Sequence, residues 1–182
     1  MSLHYQEADP IILGSGELYL GTVENPETAD EATIEAALKN VGAIESGATL
    51  NYKPTIKKIK SANRGTLMSF ITDDEVTFDC GIITWVIDNI SRLAPATVTT
   101  DAETGTKTMK IKSMGSLPVN YLRFIHQKKS EPGTITVNFL KAQNTNGFKF
   151  TFDNENPLSV AYEFTALADN NGNLVEIIET FE

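Results

Sequence analysis

Val160-Ala161-Tyr162-Glu163-Phe164-Thr165-Ala166-Leu167-Ala168 runs into Asp169-Asn170-Asn171-Gly172-Asn173, and then into Leu174-Val175-Glu176-Ile177-Ile178. Side chains alternate across a strand, so Val160, Tyr162, Phe164, Ala166 and Ala168 share one face, with Ala161, Glu163, Thr165 and Leu167 on the other. The first face is apolar throughout, which predicts a strand packed on a core. Asn-Gly is the pair that best tolerates positive φ in a tight turn. The stretch therefore predicts a long strand, a turn and a short return strand.

The same reading extends upstream. Leu18-Tyr19-Leu20 after Gly14-Ser15-Gly16 predicts a first strand behind a bend, with Ile11-Ile12-Leu13 on its other side. Residues 28–41 read as a short helix, with Thr28 and Glu31 at capping-box spacing, Ile34, Leu38 and Val41 as an apolar stripe, and Gly42 as its stop. Strands are predicted over 48–52, 66–72 and 75–80, and residues 53–66 between the first two form an extended loop or projecting hairpin. Ile82, Val86, Ile90 and Leu93 recur at helical spacing before Pro95, which predicts a helix over 82–93 with Trp85 mostly buried beside the stripe. Beyond it the pattern is β again. Residues 96–100 and 106–112 flank a hairpin loop, and 119–127 and 134–139 follow as strands. After a turn at 144–147, Phe148, Phe150 and Phe152 alternate with Lys149, Thr151 and Asp153. The class is mainly antiparallel β, read as one domain over 1–182 with a flexible N-terminal arm at 1–10.

Composition narrows the function classes. The chain has 182 residues and a net charge of −9, so it lacks the cation excess of a general nucleic-acid binder. Charge is uneven: residues 1–50 are net −8, 51–130 net +5 and 131–182 net −6. Lys53, Lys57, Lys58, Lys60 and Arg64 concentrate the positive charge, which suits pairing with acidic surface elsewhere, including on another subunit. No apolar run approaches the roughly 20 residues of a membrane span, and no secretory signal is expected.

No constellation supplies chemistry. Cys80 is the one cysteine and shares an alternating face with Val76 and Phe78, as a buried apolar residue would. His4 and His126 are far apart in sequence, so no metal site and no Cys-His pair is expected. Asp169, Asn171 and Asn173 have calcium-loop spacing, but Leu174 and Thr180 stand where Gly and Glu belong, so a turn is expected. Asp73-Asp74-Glu75 reads as a solvated turn. Asn89-Ile90-Ser91 is a formal glycosylation sequon.

Several segments, in order, resemble the major tail tube proteins of bacteriophages. They are the 11–20 opening, Val41-Gly42-Ala43-Ile44 leading to Gly47-Ala48-Thr49-Leu50-Asn51-Tyr52-Lys53-Pro54, the 76–93 strand-to-helix transition with Trp85, and the closing 162–174 segment. The resemblance implies an antiparallel β-sandwich or barrel with a flanking helix. It implies six copies in a ring, with rings stacked into the tail tube through which the genome passes. It further implies no enzymatic activity, no cofactor, and assembly in a bacterial cytoplasm into the virion tail. Partners would be other copies, the tape-measure protein and tail-capping proteins, without sequence-specific DNA binding or a membrane. Lys57, Lys58, Lys60 and Arg64 are then the subunit-interface candidates, where a basic loop meets an acidic surface of the next ring. A monomeric β-sandwich binding module, for carbohydrate, is the alternative, with Phe148, Phe150 and Phe152 as its aromatic row.

Overall fold

A computed structural model describes residues 16–128, 132–152, 154–155 and 157–180. The expected strand at 11–13 and the arm at 1–10 lie outside the described residues. In chain order the elements are β1 (Gly16–Gly21), α1 (Glu31–Ala37), β2 (Lys39–Asn40), β3 (Ile44–Ser61), β4 (Gly65–Ile82), α2 (Ile87–Ile90) with a 3-10 turn (Ser91–Leu93), β5 (Ala96–Asp101), β6 (Thr106–Ile111), β7 (Asn120–Gln127), β8 (Thr134–Gln143), β9 (Val160–Ala166) and β10 (Glu176–Glu179). The fold is mainly β, and every strand pairing among the described residues is antiparallel.

The main sheet runs β2-β1-β7-β8-β9-β4-β3. Its two ends are neighbours in sequence, because only Val41, Gly42 and Ala43 separate β2 from β3. So short a link forces the sheet to curl until its ends meet, which gives the barrel-like form. The concave face holds Leu18 and Leu20 from β1, Leu122 from β7, Phe139 from β8, Phe78 and Ile82 from β4, and Tyr162 and Phe164 from β9, all buried. Phe78 lies 5.3 Å from Phe124 and 6.1 Å from Phe139, ring centre to ring centre. The alternation of 160–166 is as the sequence predicts, with Val160, Tyr162, Phe164 and Ala166 inward.

The return strand corrects the sequence reading. β10 pairs with β8 (Glu176↔Asn138 through Glu179↔Ile135) and not with β9. β9 itself reaches β8 at Ala142↔Ala166, so β9 and β10 follow one edge of β8 in the same direction. The Asn-Gly loop interrupts that line without reversing it. It closes on itself: Asp169 N donates to Asn173 O at 2.9 Å, and Gly172 N to Asp169 O at 3.1 Å. A loop whose two ends are bonded to each other hands the chain back on its original course.

Both helices are shorter than expected. In α1 the cap is Asp30, whose Oδ1 accepts from Thr33 N at 2.8 Å. Thr28 instead donates to Asn25 O. The helix stops at Ala37 because Lys39 and Asn40 join the sheet beside Leu20 and Tyr19, so Val41 belongs to the main core and Gly42 to the barrel seam, not to a helix cap. The 82–93 helix contracts to α2 and its 3-10 turn. Ile82 owes its burial to β4, where it faces Val160 and Ile44. Ile90 and Leu93 are buried, but Val86 is exposed and Trp85 is 51% exposed. Residues 148–152 carry no strand pairing. Phe148 and Phe150 pack on the core edge, and Phe152 is 78% exposed.

Candidate assembly interface

The segment 53–66, expected as an extended loop or projecting hairpin, is the outgoing strand and tip of a long hairpin. β3 and β4 pair from Ile44↔Ile82 to Ser61↔Gly65, but β9 covers β4 only from Thr77 to Ile82. Beyond Val76 the two strands pair, among the described residues, only with each other. At about 3.3 Å per residue, residues 52–61 project roughly 30 Å, and both outer backbone edges of this arm lack a strand partner among the described residues.

Paired residues share a face in an antiparallel ladder. Ile56↔Ile71 lies on one face of the arm, with Lys57↔Phe70 and Ile59↔Met68 on the other, and Leu67 sits at an irregularity near the tip. All are exposed, Leu67 and Met68 at 59% and Phe70 at 42%. An isolated two-stranded ribbon is at best marginally stable in water. This one carries large apolar groups on both faces, and both its edges are open among the described residues.

The four residues singled out in the sequence sit on this arm. Lys57, Lys58 and Lys60 face Phe70, Ser69 and Thr66, and Arg64 is in the tip. All are exposed, and none forms an ion pair with a described residue. Residues 54–71 contain these four cations and no acid.

A second feature escaped the sequence reading. On the convex face of the sheet, α1 lies over β7 and β8 and leaves a cleft of about 540 Å³, walled by Glu27, Glu31, Glu35 and Glu176 and floored by Ile34, Ile125, Leu140 and Ile178. Its floor is tied by Arg123, which is largely buried. The Nε donates to Asn138 Oδ1 at 2.9 Å, and both terminal nitrogens grip the Glu31 carboxylate, Nη2 at 3.2 Å from Oε2. Nη2 also reaches the Tyr121 hydroxyl, and Asn138 Nδ2 donates to Glu176 at 3.1 Å. The network links α1, β7, β8 and β10. Glu27 is also committed, holding Lys141 at 2.5 Å and the 169–173 loop through Asn170 N at 3.1 Å. Glu35 meets no cation among the described residues. The signal was present in sequence, since Glu27, Glu31 and Glu35 recur every fourth residue.

The Arg123 hydrogen bond holds the Glu31 carboxyl below its ordinary range. A depressed carboxylate contributes stability above its unfolded pKa of about 4.3 and loses it as pH falls through the lower folded value. Glu31 is largely exposed, so screening limits the pair to about 1 kcal/mol or less. Glu31→Gln should thus be less stable than the parent by that amount at neutral pH, and the difference should vanish in acid. Urea unfolding at both pH values tests this, and a pH-independent difference would show that the carboxylate's charge is not what binds α1 down.

Other groups resolve more simply. Cys80 is buried and burial pushes its thiol up to about 12, so it is inert core. Asp169 accepts from Asn171 N, Asn173 N and Asn173 Nδ2, so donors occupy its oxygens where a calcium loop would need them free. No group of three or more His, Cys, Asp or Glu residues suits a metal ion among the described residues. Asn89 of the sequon is buried and donates to Asn40 O. Asp79 and Glu163 face each other on β4 and β9, and burial, with Glu163 adding to it, raises the Asp79 carboxyl above its ordinary range. The aromatic row joins Trp85, but Phe150 is tilted 58° from Trp85 and 50° from Phe152, a poor match to the flat platform a sugar ring stacks on. No helix among the described residues is long and apolar enough to cross a membrane.

No protein-family model matches the chain, and no curated protein sequence matches it.

Proposed function

We propose that this chain is a structural subunit of a bacteriophage tail tube, or of a related tail-like particle, and that its activity is self-assembly into stacked hexameric rings. The observation that carries the reading is the arm, a ribbon some 30 Å long by the strand rise, with apolar groups on both faces and two open edges. A monomer would expose all of it to water. A tube formed by head-to-tail contacts would cover it, because such contacts propagate along an axis instead of closing. The resemblance of the 41–54 and 76–93 segments to tail tube proteins supports the same assembly. The acids on the sheet's outer face, Asp79 and Glu163 among them, suit a channel wall along which phosphates slide without sticking. In this reading the partners are further copies, the tape-measure protein and tail-capping proteins, and the place of assembly is a bacterial cytoplasm.

Negative-stain microscopy and sedimentation of concentrated purified protein test the proposal. Rings or tubes of uniform diameter are expected. A chain that stays monomeric at every concentration and ionic strength tried would overturn it.

A further inference from the structure

Building on the self-assembly reading, we infer that the cleft between α1 and the β7–β8–β10 face is the receptor for the arm tip of a neighbouring copy of this chain. Three complementarities converge there. The first is charge. The tip brings Lys57, Lys58, Lys60 and Arg64 without a carboxylate among residues 54–71, and the cleft wall carries Glu27, Glu31, Glu35 and Glu176 against two cations, Arg123 and the Lys141 that holds Glu27. Arg123 is spent on Glu31 and Asn138 and Lys141 on Glu27, so the acids of the rim outnumber their cations, and Glu35 meets no cation among the described residues.

The second is apolar surface. The cleft floor offers Ile34, Ile125 and Ile178 beneath its charged rim, and the tip offers Ile59, Met68 and Phe70 beside its lysines. An apolar floor inside a charged rim matches an apolar ribbon bearing charged side chains. The third is backbone. Among the described residues β10 pairs with β8 alone, and its residues are exposed. Glu176 and Ile178 of β10 line the cleft, and the outer edges of the arm's strands also lack a partner among the described residues. A short edge of this kind, four residues in β10, can take a partner by strand addition. No residue of the chain's own arm lines the cleft, so the occupant comes from another copy.

The test is a charge exchange in the full-length chain. The arm variant is Lys57→Glu with Lys58→Glu, the cleft variant is Glu35→Lys with Glu176→Lys, and a third chain carries both pairs. Each single exchange should raise the protein concentration at half-assembly by about tenfold or more, and the combined chain should assemble as the parent does. If the cleft variant assembles like the parent, or the combined chain is no better than the arm variant, the cleft is not the receptor.

Glu176→Lys also removes the acceptor of Asn138, so a second measurement stands apart from that loss. Lys57→Cys and Glu35→Cys chains, the former on the same arm face as Ile59, are mixed and oxidised by dissolved oxygen with a copper catalyst, each thiol giving up one electron and one proton to the oxygen as the two sulfurs join. A mixed disulfide dimer is expected well above the yield with Thr104→Cys in place of Glu35→Cys, and buried Cys80 stays silent. A yield no greater than that control, with a parent that assembles, overturns the cleft and leaves the self-assembly reading standing. A parent that does not assemble overturns both.

Discussion

Gly42→Val should destabilise the chain by about 3 kcal/mol or more, while Gly47→Val should cost less. Gly42 lies in the three-residue link that joins the two ends of the sheet, at φ +115°, where side chains other than glycine's are strained. A Cβ built there would sit 1.7 Å from Thr84 Oγ1 and 2.9 Å from its Cβ. Thr84 cannot simply rotate away, because its hydroxyl accepts from Ala43 N at 3.2 Å and donates to Val41 O at 3.4 Å, knitting the seam. Gly47 has a similar φ of +110° but open space around its Cβ position. The comparison separates backbone strain, present at both sites, from the steric clash, present only at the seam. Urea unfolding midpoints for the two variants measure the difference. Equal midpoints would mean that the closure of the barrel is not tightly packed at this point.

That seam also shows where sequence reading stops. Gly42 is visible as a breaker, and after an apparent helix it reads as a C-terminal stop. Its actual role depends on two strands distant from one another in the sheet order but adjacent in sequence, a relation no local pattern encodes. Period-two alternation fared better at 160–166, because each residue there reports its own face and packing obeys it. The Asn-Gly loop was legible as a loop. Whether it reverses a strand or only interrupts one depends on which neighbour takes the next segment, and Ile177 and Ile178 suit β8 as well as they would suit β9.

The helical spacing over 82–93 was misleading for a related reason. Ile82 satisfies a four-residue period by coincidence, and a buried strand end looks the same as a buried helix position. Of the candidate interface, the basic cluster was legible and the apolar half was not. Ile56, Ile59, Met68 and Phe70 are ordinary strand residues by sequence. They become unusual only once β9 leaves β4 at Thr77 and nothing described takes its place.

Excising residues 54–74 and joining Lys53 to Glu75 through Asn-Gly should leave the fold intact and abolish the proposed assembly. Lys53 and Glu75 already face each other across the ladder, so a two-residue turn can close between them. The removed residues contribute nothing to the core cluster, so the unfolding free energy should stay within about 0.5 kcal/mol of the parent. Assembly is another matter. Fully burying a large apolar side chain is worth about 1.5–3 kcal/mol, and Ile56, Ile59, Met68, Phe70 and Ile71 are each roughly half exposed, so covering them supplies several kcal/mol per arm. Exposed ion pairs supply about 0–1 kcal/mol each, so in the proposed contact the apolar groups would dominate and the charges steer. Two lesser variants divide the effect. Ile59→Ser, Met68→Ser and Phe70→Ser together should suppress tubes at any salt concentration. Lys57→Glu with Lys58→Glu should suppress them most at low salt, its effect fading as the screening length falls below about 10 Å above 0.1 M. Turbidity and microscopy across a salt series read both. If the excised chain polymerises at the parent's concentration, the arm is not the element that joins copies, and its exposed isoleucines and phenylalanine serve some other contact.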